Sequence, residues 1–258
     1  MTDPKSLLLA ALLLVTIGFV AFWFRYARRR DQPGAPDALR LGIGFVTNFF
    51  DTLGIGSFAT TTTIYRFWHV VADERIPGTL NVGHTMATVA QALIYITIVQ
   101  VDFTTLFLLI VSAVVGAWLG ASVVAALPKR QIQLGMGLAL LVAAGLMAMT
   151  ALGLFPGGGE AVALAGPKLV IGCAMNFALG ALMSLGIGLY APCMIMVSLL
   201  GMNPTAAFPI MMGSCAFLMP VGSVEFIRKS KYDLRAALGL AVGGVPAVLI
   251  AALVVKSF

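Results

Sequence analysis

Long apolar stretches separated by short polar breaks run the length of the chain. At roughly 20 apolar residues per bilayer crossing, the pattern predicts helical segments over about 6–24, 41–66, 78–100, 103–127, 131–153, 169–200, 205–227 and 234–255. Segments two and six are interrupted by Leu-Gly-Ile-Gly, at 53–56 and 185–188, with Asn-Phe ahead of it at 48–49 and 176–177. The Asn-to-Leu spacing differs by four residues between the copies, about one helical turn. Each break is followed in the next segment by a Gly-polar pair, Gly83-His84 and Gly213-Ser214, and then by an aspartate opening the last segment, Asp102 and Asp233. The pattern is a four-segment unit used twice, over 1–127 and 128–258.

Whether segments two and six cross a bilayer can be read from the basic residues, which gather on the cytoplasmic side. If both cross, the 16 Lys and Arg divide ten to six. If both enter and return on one side, only Lys5, Lys168 and Lys256 remain on the poor side and the other thirteen share the rich side. The second arrangement is favoured. About ten residues separate Arg40 from Asp51, which at 1.5 Å each reach roughly 15 Å, half of a 30 Å hydrocarbon core. The sequence therefore predicts an all-α polytopic membrane protein of two inverted four-segment repeats, each with a glycine-broken re-entrant helix hairpin. Both termini are expected on the extracytoplasmic side.

Composition agrees. Of the 258 residues 60% are hydrophobic and only 10% charged, with a mean hydropathy of +1.01, against about 25% charged in a soluble domain. The formal charge of +6 then reports orientation, and a nucleic-acid partner is excluded. The first segment ends in Arg25-Tyr-Ala-Arg-Arg-Arg30, a stop-transfer pattern in place of a small-residue cleavage site, and is expected to stay. Cys173, Cys193 and Cys215 lie in apolar segments without C-x-x-C spacing and read as small core fillers.

Irregular backbone is tolerated in a membrane only where it lines a cavity or is buried in protein. Gly54 and Gly56 allow the chain to turn and leave backbone N–H groups at the start of a returning half-helix, with hydroxyls from Ser57 and Thr60 nearby. Such a terminus is an anion site that needs no basic side chain. Gly186, Gly188 and the half-helix bearing Pro192 are expected to supply a second one, facing the first. Gly116/Gly120 and Gly239/Gly243 read instead as close helix-packing pairs. Asp51 should face a cavity or a partner; capping of the returning half-helix and proton coupling are both open to it. Asn81, His84, Thr88, Gln91 and Tyr95 step by three and four, so they share one helix face. His84 is the member whose charge could change near neutral pH, and is a coupling or gating candidate with Asp51. Glu225 beside Arg228-Lys229 reads as an interfacial ion pair.

The two broken segments, "DTLGIGSFA" and "LGIGLYAPCM", each near the start of a repeated half, resemble the TauE/SafE sulfite exporter family, also described as toluene-sulfonate uptake permeases, over nearly the whole chain. Pro192 fits the family's Gly-rich run followed by proline; Thr60 stands where the first-half proline is expected. The resemblance implies a secondary transporter, not an enzyme, that exports sulfite or a short organosulfonate such as sulfoacetate across the plasma membrane by alternating access. Import of thiosulfate or another small ion, and a passive anion channel, are the alternatives. Substrate contacts are expected from Asn48, Gly54, Gly56, Ser57, Thr60, Asn81, His84, Gln91, Asn176, Gly186, Gly188 and Ser214. No cofactor or metal is expected. The expected partners are a small anion, the lipid bilayer, protons as coupling ion, and a second copy in a homodimer.

Overall fold

The computed structural model describes residues 3–28, 35–154, 157–186 and 188–256; Arg29, Arg30 and Ile187, used in the reading above, lie outside them. The described residues form ten α-helices: α1 (Pro4–Ala27), α2 (Ala38–Thr52), α3 (Ser57–Phe67), α4 (Ile76–Ile98), α5 (Phe103–Val124), α6 (Lys129–Ala151), α7 (Gly166–Met183), α8 (Tyr190–Leu199), α9 (Ala207–Arg228) and α10 (Leu234–Lys256). The eight expected segments are all present. Segments two and six are each split in two at their Leu-Gly-Ile-Gly, as α2/α3 and α7/α8. Starts are set by side-chain caps: the carboxylates of Asp37, Asp102 and Asp233 accept from the N–H groups of Arg40, Thr105 and Ala236 at 2.9, 2.8 and 2.8 Å.

Glycine contacts fix how the helices run. Gly44 lies on the Gly239–Leu240 backbone, Gly243 on Leu41 and Gly244 on Asn48, so α2 and α10 are parallel neighbours. Gly83 on Ala237 and Leu240 adds α4 in the same direction. On the other side Gly116 and Gly120 meet Phe177 and Ala181, Gly180 meets Ala113, and Gly213 and Gly222 meet Ile110 and Ala121. Hence α5, α7 and α9 form a second parallel set. The two sets are joined where α4 packs on α9, and they oppose: Gly78 touches Phe226, whereas Gly213 touches Ile96. Small residues at these crossings let backbones approach closely enough for dispersion to hold the helices together in lipid.

Each broken segment folds back on itself. Thr61 of α3 meets His84, which also holds Asn48 of α2, and Arg66 at the end of α3 reaches Asp73 before α4 at 3.7 Å. The end of α8 returns to the start of α7, where Lys168 donates to the Leu200 carbonyl at 3.0 Å. The described basic residues gather at the end of the bundle where α2, α4 and α10 begin, except Lys5, Lys168 and Lys256 at the opposite end. Glu225 pairs with Lys229 at 3.3 Å at the basic end.

Among the described residues, α1, α5, α7, α9 with its leading turn, and α10 are long and apolar enough to cross a membrane. The central helix α4 is not in that set because its polar stripe lowers its hydropathy. That stripe is wholly enclosed by protein: Asn81, His84, Thr88, Gln91 and Tyr95 are all buried. One face of α1, bearing Leu8, Leu12, Thr16, Phe19 and Trp23, is buried against α4 and α9.

Candidate functional site

The turn between α2 and α3 places Gly54 and Gly56 at φ +94° and +84°, a backbone region open to glycine and strained for other residues. Asp51 reaches across this turn. Its Oδ1 accepts from the Ser57 N–H at the start of α3, and its Oδ2 accepts from Gln91 Nε2 at 2.9 Å. Gln91 Nε2 also donates to Thr52 Oγ1 at 3.0 Å, and the Tyr95 hydroxyl donates to the Thr52 carbonyl at 2.9 Å. The tip is thereby bolted to α4 and rests on α9 through Phe208, whose ring stacks on Tyr95 at 5.2 Å.

One turn below, His84 ties both arms of the hairpin to α4. Its Nδ1 lies 2.9 Å from Asn48 Oδ1 and its Nε2 3.1 Å from Thr61 Oγ1. Asn48 Nδ2 is committed to the Gly44 carbonyl at 2.7 Å, so its oxygen faces the ring. Nδ1 therefore carries a hydrogen, and when the ring is neutral its Nε2 accepts from Thr61.

The second tip, after α7, turns at Gly186 with φ +91° and starts α8 at Tyr190. The two tips meet. Gly188 approaches Phe58, and the Tyr190 hydroxyl donates to Gln91 Oε1 at 2.7 Å. Between the tips lies a cavity of about 10 Å³ lined by Asp51, Gly56, Ser57, Phe58, Thr88, Met183, Gly188, Leu189, Tyr190 and Cys215. That is room for about one water at most. A second space of about 40 Å³ adjoins it on the α6 side, lined by Ile55, Gly56, Phe58, Ala59, Val142, Leu146, Gly188, Tyr190, Ala191 and Pro192.

Of the expected contact residues, Gly56, Ser57 and Gly188 line the inner cavity beside the coupling candidate Asp51, and Gln91 adjoins it through Asp51 and Tyr190. Asn48 and His84 sit one turn away in a closed hydrogen-bonded set. Gly54 faces Phe208 and Gly186 faces Leu80 and Met136, so both shape the turns without lining the space. Thr60 turns into a different groove, with Val46, Thr47, Phe50, Ile55 and Ile64, and donates to the Ser57 carbonyl at 2.9 Å. Asn81 donates to the Pro77 carbonyl of its own helix at 2.9 Å. Asn176 donates to the Leu109 carbonyl at 2.7 Å and to Ser214 Oγ at 3.0 Å, linking α5, α7 and α9. The recurrent pairs Asn48/His84 and Asn176/Ser214 are thus brought together, each as a brace beneath its own tip.

One expectation is corrected in its detail. The first amide of α3 is not open to an external anion, because the Asp51 carboxylate already occupies it. Any anion using that amide must displace a negative charge or find it neutralised. Six lining residues lie outside the expected site residues: Phe58, Thr88, Met183, Leu189, Tyr190 and Cys215, whose thiol lies 3.6 Å from Met183 Sδ. Tyr190 was within reach of the sequence, directly following the second Leu-Gly-Ile-Gly-Leu; its partner, 99 positions away, was not. Among the described residues no three His, Cys, Asp or Glu side chains gather as a metal site.

Comparison with curated proteins and with solved structures yields no match. A family model described as Sulfite exporter TauE/SafE matches residues 2–147, which takes in the first hairpin, α4 and α5 and most of α6 but stops short of the second hairpin. That span exceeds half of the 258 residues, and it contains the Asp51 turn, the His84 brace and Gln91: the chain belongs to the TauE/SafE sulfite exporter family.

Proposed function

We propose that the protein is a secondary transporter that exports a small sulfur oxyanion, sulfite or a short organosulfonate such as sulfoacetate, across the plasma membrane. The two halves, 1–127 and 128–258, act as inverted repeats. Each hairpin dips into the bilayer from the face opposite to its counterpart, and their tips hold the substrate near the midplane, as broken helices do in other secondary transporters. The basic end of the bundle is cytoplasmic by the positive-inside rule, which leaves both termini outside. The observation that carries this reading is the meeting of the two glycine-hinged tips around one small cavity with Ser57, Thr88 and Tyr190 hydroxyls on its wall.

The cavity is too small for a sulfonate group, which fits an occluded state of a carrier better than a standing channel. Asp51 is the coupling residue of this proposal. Its carboxylate occupies the Ser57 amide, so an anion binds there when Asp51 takes up a proton, and the two leave together. Export of one net negative charge from a negative-inside cell is favoured by about 2.3 kcal/mol per 100 mV; a proton carried with it removes that dependence. Labelled sulfite and sulfoacetate efflux from proteoliposomes tests the reading. Saturable flux that acidifies the receiving side is expected, with Asp51→Asn abolishing the proton movement. Flux that is linear in concentration, or none of either substrate, contradicts it.

A further inference from the structure

Two adjoining spaces share a wall made of Gly56, Phe58, Gly188 and Tyr190. The wall is glycine on both tips, one apolar ring on the first and one phenol on the second. Only the phenol is tied in place by a side-chain hydrogen bond, from its hydroxyl to Gln91 Oε1 at 2.7 Å. Gln91 in turn donates to Asp51 and Thr52. The bond joins a residue of the second hairpin to Gln91 on the central helix, the same residue that holds Asp51 of the first tip.

We infer that Tyr190 is both the gate between the two spaces and a substrate contact: its hydroxyl leaves Gln91 when an oxyanion arrives and donates to one of the anion's oxygens instead. This rests on the transport reading above. The exchange keeps the phenol's hydrogen paired in both states, so opening leaves no buried donor unmet. It also gives the second hairpin a charge-independent donor, which its early Pro192 cannot supply from the backbone because proline has no N–H. Of the titratable groups facing this point, Asp51 comes from α2, Tyr95 and His84 from α4, and Cys215 from α9; α3 presents only hydroxyls and an apolar ring. None is a fixed cation, so the anion meets hydroxyl and amide donors alone.

Cys215 lines the inner space and is buried, which makes it a reporter of the gate. The experiment uses the full chain in proteoliposomes with Cys173→Ser and Cys193→Ser, and a small sulfonate-bearing methanethiosulfonate as the thiol probe. Losing one net hydrogen bond sets the scale at about 3- to 10-fold. Tyr190→Phe is therefore expected to speed Cys215 labelling by that factor and to raise the KM for sulfite efflux similarly, with a smaller change in kcat. Gln91→Met removes the acceptor along with Gln91's own bonds to Asp51 and Thr52, so it is expected to accelerate labelling at least as much, supplying the reading if Tyr190→Phe does not assemble. The double variant should label no faster than Gln91→Met alone, because that substitution already removes the Tyr190–Gln91 bond. Labelling at the unmodified rate in the single variants, additive acceleration in the double, or no labelling in any protein overturns the gate. Absence of sulfite efflux from the parent protein contradicts the transport reading instead, and the labelling comparison stands apart from it.

Discussion

Asp51 shows how much one side chain can be asked to do. It closes a turn that two positive-φ glycines make possible, caps the returning helix, and fixes Gln91. Replacing it with alanine strands the Ser57 N–H and one Gln91 hydrogen in a buried site, at about 1–3 kcal/mol for each unmet donor. Asparagine keeps one acceptor oxygen. The expected order of thermal unfolding in detergent is wild type above Asp51→Asn above Asp51→Ala, and an alanine variant as stable as wild type would rule out the capping role. The capping half of this was legible in the chain, since a carboxylate six residues before a half-helix start invites it. The partners were not: Gln91 lies 40 positions on and Tyr190 a further 99 from Gln91, and no local pattern announces contacts of that range. Thr60 shows the opposite limit. A hydroxyl three residues into a helix can turn to either side, and its own backbone claims it.

At the level of elements, period and punctuation carried most of the information. Eight apolar runs became eight helical units, and the repeated Leu-Gly-Ile-Gly marked both places where a run breaks and returns. The packing glycines were readable as small residues at four-residue spacing, but their partners were not. Helix α10 lies on α2 and α5 on α7, each exchanging places with the half it does not belong to in sequence. Such long-range pairing depends on how the whole bundle closes. The seam has a direct consequence. A Cβ on Gly243 would strike the Leu41 carbonyl, whereas one on Gly137 in α6 would meet nothing within 4 Å. Gly243→Ala is expected to lower stability by about 1–3 kcal/mol through overpacking. Gly137→Ala should be neutral or slightly stabilising, as alanine is the better helix former. Denaturant or thermal unfolding of the two variants side by side checks the contrast, and equal effects would mean that the seam is not close-packed.

For the molecule as a whole, two parallel sets of helices run in opposite senses and meet at α4 and α9, with a broken hairpin attached to each. Basic residues crowd one end. The expectation that all but Lys5, Lys168 and Lys256 share one side agrees with where the described basic residues lie in the bundle, because charge placement depends only on which loops share an end. What a sequence cannot display is the closed contact between tips, which is where the transport proposal stands or falls. The most direct measurement places a single thiol there, as Ser57→Cys in a chain whose Cys173, Cys193 and Cys215 are serine, and labels it with an impermeant reagent from either face of oriented vesicles. Alternating access through the tips predicts labelling from both faces, slowed in both cases by sulfite. Labelling from one face alone, or rates indifferent to sulfite, would contradict it.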